Sequence, residues 1–198
     1  MVVQRYCVVD SPISPLMQLK YRLVAFDGDE TLWTLPSGLN LSDRFDNDAV
    51  GRPDFTFKKI SAPDEAPVVR RDDGALFALR PETFSVVETL RSWGVLIGVI
   101  SYNHANNIES ILEAFGLRPL VDYVVAEWHT GKDHMMRRML DMARAEGHAV
   151  EPKDAVLIDD DYYRLYRDQY QRLGAGFVHF GVDIADFTPI LDLVGPSE

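Results

Sequence analysis

The chain has 198 residues, 46% of them hydrophobic and 26% charged; these values suit one domain with a real core and exclude disorder as a description of the whole. The net charge is 20 − 31 = −11, and beyond Arg70-Arg71 and Arg137-Arg138 no basic cluster stands out, so no nucleic-acid partner is expected: such proteins need a cationic face to displace counterions from phosphates. Cys7 is the only cysteine, which excludes an intrachain disulfide and a Cys-based zinc site, and the absence of a long apolar run or a signal-peptide pattern predicts a cytoplasmic protein with no membrane partner.

Residues 1–21 carry Pro12 and Pro15 without a hydrophobic period and read as an extended lead-in to a single domain over 22–198. Arg22–Phe26 is an apolar run of the kind that forms a strand buried on both faces. Residues 33–79 hold seven Pro and Gly positions from Pro36 to Gly74 and only short β-like pieces at Phe55–Phe57, Pro67–Arg70 and Ala75–Leu79. Asp72-Asp73-Gly74 reads as a hairpin turn, so this stretch is expected to be a small flap insertion without its own core. From Pro81 onward strands and helices alternate. The helices are marked by Phe84, Val87 and Leu90, by Ile108, Ile111, Leu112 and Phe115, by Met135, Met136, Met139, Leu140 and Ala143, by Tyr162–Leu173, and by Ile184–Val194. The intervening strands are Val95–Ile100, Val121–Ala126, Ala155–Ile158 and Gly176–Phe180. This alternation predicts an α/β fold, a doubly wound parallel sheet of Rossmann-like type with helices on both faces. Ligands in such folds lie beyond the carboxyl ends of the strands, which directs attention to the residues after 26, 100 and 158.

The first of these ends reads Asp27-Gly28-Asp29-Glu30-Thr31. Residues two apart on a strand point the same way, so Asp27 and Asp29 can serve one site, attract a divalent cation, and divide the work of nucleophile and proton donor. Gly28 permits a close backbone approach. The second end offers Ser101, whose hydroxyl can bond a phosphate oxygen. The third offers Asp159, Asp160 and Asp161. Three adjacent carboxylates repel unless a cation, a lysine or a helix N-terminus offsets them. Capping the following helix accounts for one of them, Asp161, and a metal role is expected for one of the other two. Lys132, at the start of the Met-lined helix, opposes that helix's dipole and so calls for an anionic partner.

Taken together and in order, Asp27–Thr31, Ser101, Lys132 and Asp159-Asp160 make the chain resemble the haloacid dehalogenase (HAD) superfamily of phosphohydrolases. Within it, Thr31-Leu32-Trp33, the Arg70-Arg71-Asp72 hairpin leading to Pro81, and Gly131-Lys132 look most like the magnesium-dependent phosphatase family. The resemblance implies that Asp27 attacks phosphorus to form an aspartyl phosphate. Asp29 would protonate the leaving group and then activate water. Mg²⁺ would be held by the Asp27 carboxylate, the Asp29 carbonyl and Asp160, with Asp159 orienting Lys132 or a metal-bound water. Ser101 and Lys132 would bind the transferred group, with Gly28, Tyr102 and Asn103 beside the substrate. Gly28, Glu30, Tyr102-Asn103 and the third aspartate depart from the family pattern, so the relatives' substrates are not carried over.

The flap is too small for a large cap domain, which points to a bulky phosphorylated substrate, such as a phosphoprotein or phosphorylated conjugate, or to a small phosphate in an oligomer. Arg70 or Arg71 would contact its non-reacting end. Two other readings use the same residues: a Mg²⁺-dependent phosphotransferase with an acceptor other than water, and a phospho-ligand-binding scaffold without turnover. The histidines read as surface or helix-end residues, and Trp33, Trp93 and Trp128 as packing residues.

Overall fold

The computed structural model describes residues 20–34, 54–62, 65–127, 131–161 and 165–195. The expected lead-in up to residue 19, part of the flap, Trp128 and the start of the helix expected at Tyr162 lie outside the described residues. The elements in chain order are β1 (Leu23–Asp27), β2 (Trp33–Thr34), β3 (Phe57–Lys59), β4 (Val68–Arg71), β5 (Leu76–Leu79), α1 (Thr83–Ser92), β6 (Leu96–Ser101), α2 (Ala105–Phe115), β7 (Tyr123–Ala126), α3 (Lys132–Ala145), β8 (Ala155–Asp159), α4 (Tyr166–Leu173), β9 (Gly176–His179) and α5 (Thr188–Val194).

Five strands form a parallel sheet in the order β7-β6-β1-β8-β9. Every residue of the two central strands β1 and β8 is buried, the pattern of strands covered on both faces. Alternation along β1 assigns the layers. Val24 and Phe26 pack with Val87, Leu90, Ile108, Leu112, Ile190 and Val194 from α1, α2 and α5. Leu23 and Ala25 pack with Met135, Met136, Met139 and Tyr170 from α3 and α4. The doubly wound architecture expected from the sequence is the one observed. Phe26 lies opposite Ile158 and Asp27 opposite Ile100, so Asp27, Ser101 and Asp159 emerge along one edge of the sheet.

The flap is more regular than a hairpin. Its strands form a second, antiparallel sheet in the order β2-β5-β4-β3. The turn at Asp72-Asp73-Gly74 joins β4 to β5, with Gly74 at φ +96°. Trp33, Val69, Phe77 and Leu79 from this sheet belong to the main core cluster, and Trp33 packs its ring 5.9 Å from that of Phe115. Among the described residues the apolar side chains of the flap thus pack into the main core. The helix expected over Ile184–Val194 begins only at Thr188: the preceding residues form a turn closed by a bridge between Phe180 and Ile184, and Pro189 suits a first helical turn.

Candidate active site

Asp27 ends β1 with its side chain directed into a site that is almost entirely enclosed; its relative exposure is 5%. Lys132, the first residue of α3, is 3% exposed and reaches across two elements to it. The ammonium donates to Asp27 Oδ1 at 2.6 Å and to Asp159 Oδ2 at 2.5 Å. Burial pushes the Asp27 carboxyl well above the ordinary carboxylate range; Lys132 works against this, while Asp159 and Asp160 add to it. For Lys132 burial works against the charge, but Asp27 and Asp159 more than offset it and raise its pKa above that of a free lysine. Asp27, Asp159 and Asp160 each bring a carboxylate oxygen within 4.8 Å of the others. Among the described residues Asp27 and Asp159 share the Lys132 ammonium, and together with Asp160 they form an all-oxygen donor set that fits a hard divalent cation.

The triplet after β8 divides into three tasks. Asp159 binds Lys132 and also accepts from the Asp161 amide at 2.7 Å. Asp161 Oδ1 accepts from the Leu165 and Tyr166 amides at 2.9 and 3.2 Å, so it caps α4 as the sequence indicated. Asp160 is held by its backbone: its N–H donates to Thr31 Oγ1 at 3.1 Å, and its carbonyl meets His179 Nε2 at 2.7 Å. Thr31 thus fixes one loop to the other.

The loop after β1 is a single wide turn in which the Leu32 and Trp33 amides both donate to the Gly28 carbonyl. The indole of Trp33 lies over Gly28, where an added Cβ would stand 2.6 Å from the ring. Trp33 Nε1 donates to Asp29 Oδ1 at 2.9 Å. Asp29 is therefore oriented by Trp33 and lies outside the three-carboxylate cluster; the role expected for it in metal binding is through its carbonyl.

Ser101 ends β6 and is buried. Asn103 Oδ1 accepts from the His104 amide and from Asn107 Nδ2, and Asn107 Oδ1 accepts from the Phe55 amide at the entry to β3. Tyr102 is half-buried, and Lys132 Nζ lies 5.3 Å from its ring centre and 5.0 Å from that of Tyr166. Burial, followed by a hydrogen bond with Tyr102, pushes the Tyr166 phenol up. Tyr170 donates its hydroxyl to the Lys132 carbonyl at 3.0 Å. Arg70 stands apart. It lies opposite Lys58 on an exposed part of the flap, and no hydrogen bond or ion pair joins it to the cluster among the described residues. Arg71 is committed to Asp73 and stacks on Phe55, 4.1 Å from the ring centre.

Solved structures share this arrangement of chain. The phosphatase-domain-containing N-terminal part of a Bacteroides fragilis protein, complexed with Mg, is 18% identical at a TM-score of 0.53, covering 90% of this chain and 41% of that one. A candidate phosphatase from Clostridium difficile is 13% identical at a TM-score of 0.55, covering 89% and 92%. A HAD-superfamily hydrolase from Ehrlichia chaffeensis is 15% identical at 0.53, covering 88% and 94%. The chain shares the fold of these solved structures. No protein-family model and no curated protein matches the chain, and no helix among the described residues is long and apolar enough to cross a membrane.

Arg80, Tyr166 and Tyr170, which buttress the site, went unnoticed in the sequence, and His179, expected at the surface or a helix end, instead ends β9 half-buried against the Asp160 carbonyl. His179 and Arg80 bond backbone carbonyls far along the chain, contacts that leave no spacing pattern to read. Tyr166 and Tyr170 lie within the stretch Tyr162–Leu173 read only as a helix.

Proposed function

We propose that this protein is a divalent-metal-dependent phosphatase that hydrolyses phosphate monoesters through a phospho-Asp27 intermediate. The observation that carries this reading is the constellation at two strand ends and one helix start, Asp27 bonded to Lys132 and clustered with Asp159 and Asp160. A cluster of carboxylates alone would serve cation storage equally well. The buried lysine between two of them supplies what phosphoryl transfer needs, a fixed positive charge at the position of the transferred group.

In this reading an Asp27 oxygen attacks phosphorus in line with the leaving alkoxide, the P–O ester bond breaks, and Asp29 delivers a proton to the departing oxygen. Asp29 then takes a proton from water as that water attacks the phospho-Asp27, releasing inorganic phosphate and restoring the carboxylate. Trp33 holds Asp29 in place for both steps. Lys132 neutralises the phosphoryl oxygens, and Ser101 adds a hydrogen bond to them. The cation would be held by Asp27 and Asp160, with the Asp29 carbonyl, and would supply charge neutralisation for a dianion approaching a carboxylate. Tyr102 and Tyr166 form the wall beside Lys132, and the flap covers the approach to a phosphorylated small molecule or phosphoprotein.

The test is phosphate release from p-nitrophenyl phosphate by wild type, Asp27→Asn and Asp29→Asn, with Mg²⁺ and with EDTA. Release that needs the metal and is lost in Asp27→Asn supports the reading. Wild-type protein inactive on a broad panel of phosphate esters in Mg²⁺ and Mn²⁺ would refute it.

A further inference from the structure

We infer that Arg80 is a positioning residue for the metal site, clamping the Asp27 loop and, through Thr31, setting where Asp160 stands. The inference rests on the phosphatase reading only insofar as Asp27 and Asp160 hold a cation.

The loop from Gly28 to Trp33 closes with the Leu32 and Trp33 amides on the Gly28 carbonyl and then leaves in β2, with a place beside its end for a donor to the Glu30, Thr31 and Leu32 carbonyls. Arg80, at the exit of β5, occupies that place. Its Nε donates to the Thr31 carbonyl at 2.8 Å and its NH2 group to the Glu30 carbonyl at 2.6 Å, while its own amide donates to the Leu32 carbonyl at 3.0 Å. Three bonds from one residue thus secure three consecutive residues, and the planar guanidinium fork makes two of them at fixed separation, which a lysine cannot do. Glu30 gives this clamp a task. It has φ +60°, the left-handed region that non-glycine residues avoid, and it persists there because its surroundings hold it.

The guanidinium is itself fixed. It stacks 4.4 Å from the ring centre of Phe180, the residue after His179, and the Phe180 amide donates to the Asp159 carbonyl at 2.8 Å. The charges of Glu30 and Asp160 offset part of the cost of burying it. The contacts therefore run in an unbroken line: Arg80 to the Thr31 carbonyl, Thr31 Oγ1 to the Asp160 amide, the Asp160 carbonyl to His179 Nε2, and Phe180 back to Arg80. Arg80 touches neither Asp27 nor Asp160 through a hydrogen bond; it acts by fixing the distance between the two loops that carry them. Outer partners of this kind set metal affinity by roughly 10- to 100-fold.

The experiment measures Mn²⁺ binding to the full chain by the loss of the free Mn²⁺ electron-resonance signal, for wild type, Arg80→Ala, Arg80→Lys and Asp27→Asn. Arg80→Ala is expected to raise the dissociation constant by about 10-fold or more, with Arg80→Lys between it and wild type. Millimolar guanidinium is expected to restore part of the affinity in Arg80→Ala and none in Asp27→Asn. With metal saturating, the KM for p-nitrophenyl phosphate should stay within about twofold of wild type, because no substrate contact is assigned to Arg80. A purely structural role would reduce the folded fraction and leave the dissociation constant of the remainder unchanged. If Arg80→Ala does not fold, the comparison of Arg80→Lys with wild type decides. Wild-type affinity in a folded Arg80→Ala, or in Arg80→Lys where Ala fails to fold, overturns this inference alone. A wild type that binds no Mn²⁺ overturns it together with the phosphatase reading.

Discussion

Asp27→Asn should stabilise the metal-free protein while abolishing turnover. The carboxylate of Asp27 lies 2.6 Å from the Lys132 ammonium, an attraction of about 6 kcal/mol at an effective dielectric constant near 20. Against it stand Asp159 and Asp160, with carboxylate oxygens no more than 4.8 Å away, so that each repels by at least about 3.5 kcal/mol on the same scale. The repulsion at least offsets the attraction, which leaves the cost of desolvating a buried charge, several kcal/mol before relaxation. Asparagine keeps the shape and an acceptor for Lys132 but carries no charge. A gain of about 1–3 kcal/mol is expected, a rise in melting temperature of roughly 3–10 °C for a domain of this size.

The pH dependence has a definite sign. The native Asp27 carboxyl titrates well above the ordinary range. Between the ordinary range and the raised native value, folded protein holds a proton that the unfolded chain has lost, so wild-type stability falls as pH climbs through that window. Thermal melts in EDTA from about pH 4 to pH 8 should therefore show the two proteins converging at the acid end and separating toward neutrality. Mg²⁺ should reverse the order, since only the wild type offers the full carboxylate set to bind. Asp27→Asn melting below wild type in EDTA at neutral pH would refute the reasoning.

Lys132→Met leaves Asp27 and Asp159 buried without their cation and should destabilise the metal-free protein by about 3–5 kcal/mol, read from urea unfolding, with part recovered on adding Mg²⁺. Because the lysine pKa is raised, its contribution persists through neutral pH and is lost only on passing above the ordinary lysine range. Gly28→Ala drives a methyl to within 2.6 Å of the Trp33 ring; a loss of about 1–3 kcal/mol is expected, with kcat falling as Asp29 loses its indole partner. Asp161→Ala removes the acceptor of two amides at the start of α4 from a residue already at φ +37° and should cost about 1–2 kcal/mol in melting experiments.

The positions of Asp27, Ser101 and Asp159 were legible because each follows an apolar run buried on both faces, and parallel register brings such ends to one edge without further information. Lys132 was legible as a cation placed against its helix dipole and, through the resemblance, as a residue that Asp159 would orient, though not as a direct partner of Asp27. The flap was legible only as a hairpin: strands of two to four residues are too short to carry a period, and Trp33 and Thr34 pair with Leu79 and Ala78, far along the chain. The acidic triplet shows how the two kinds of information divide. Repulsion among three neighbours requires that something offset them, and the sequence supplies that requirement along with a helix for Asp161 to cap. Which of the first two faces Lys132 depends on the turn that places Asp161 in the left-handed region and swings its amide back onto Asp159. Once Asp159 holds both Lys132 and that amide, Asp160 is the member whose loop is tied instead to Thr31 and His179. Its position relative to Asp27 is then set by backbone contacts between the two loops, and that is why the geometry of the cluster rests on residues, Arg80 foremost, that carry none of the chemistry.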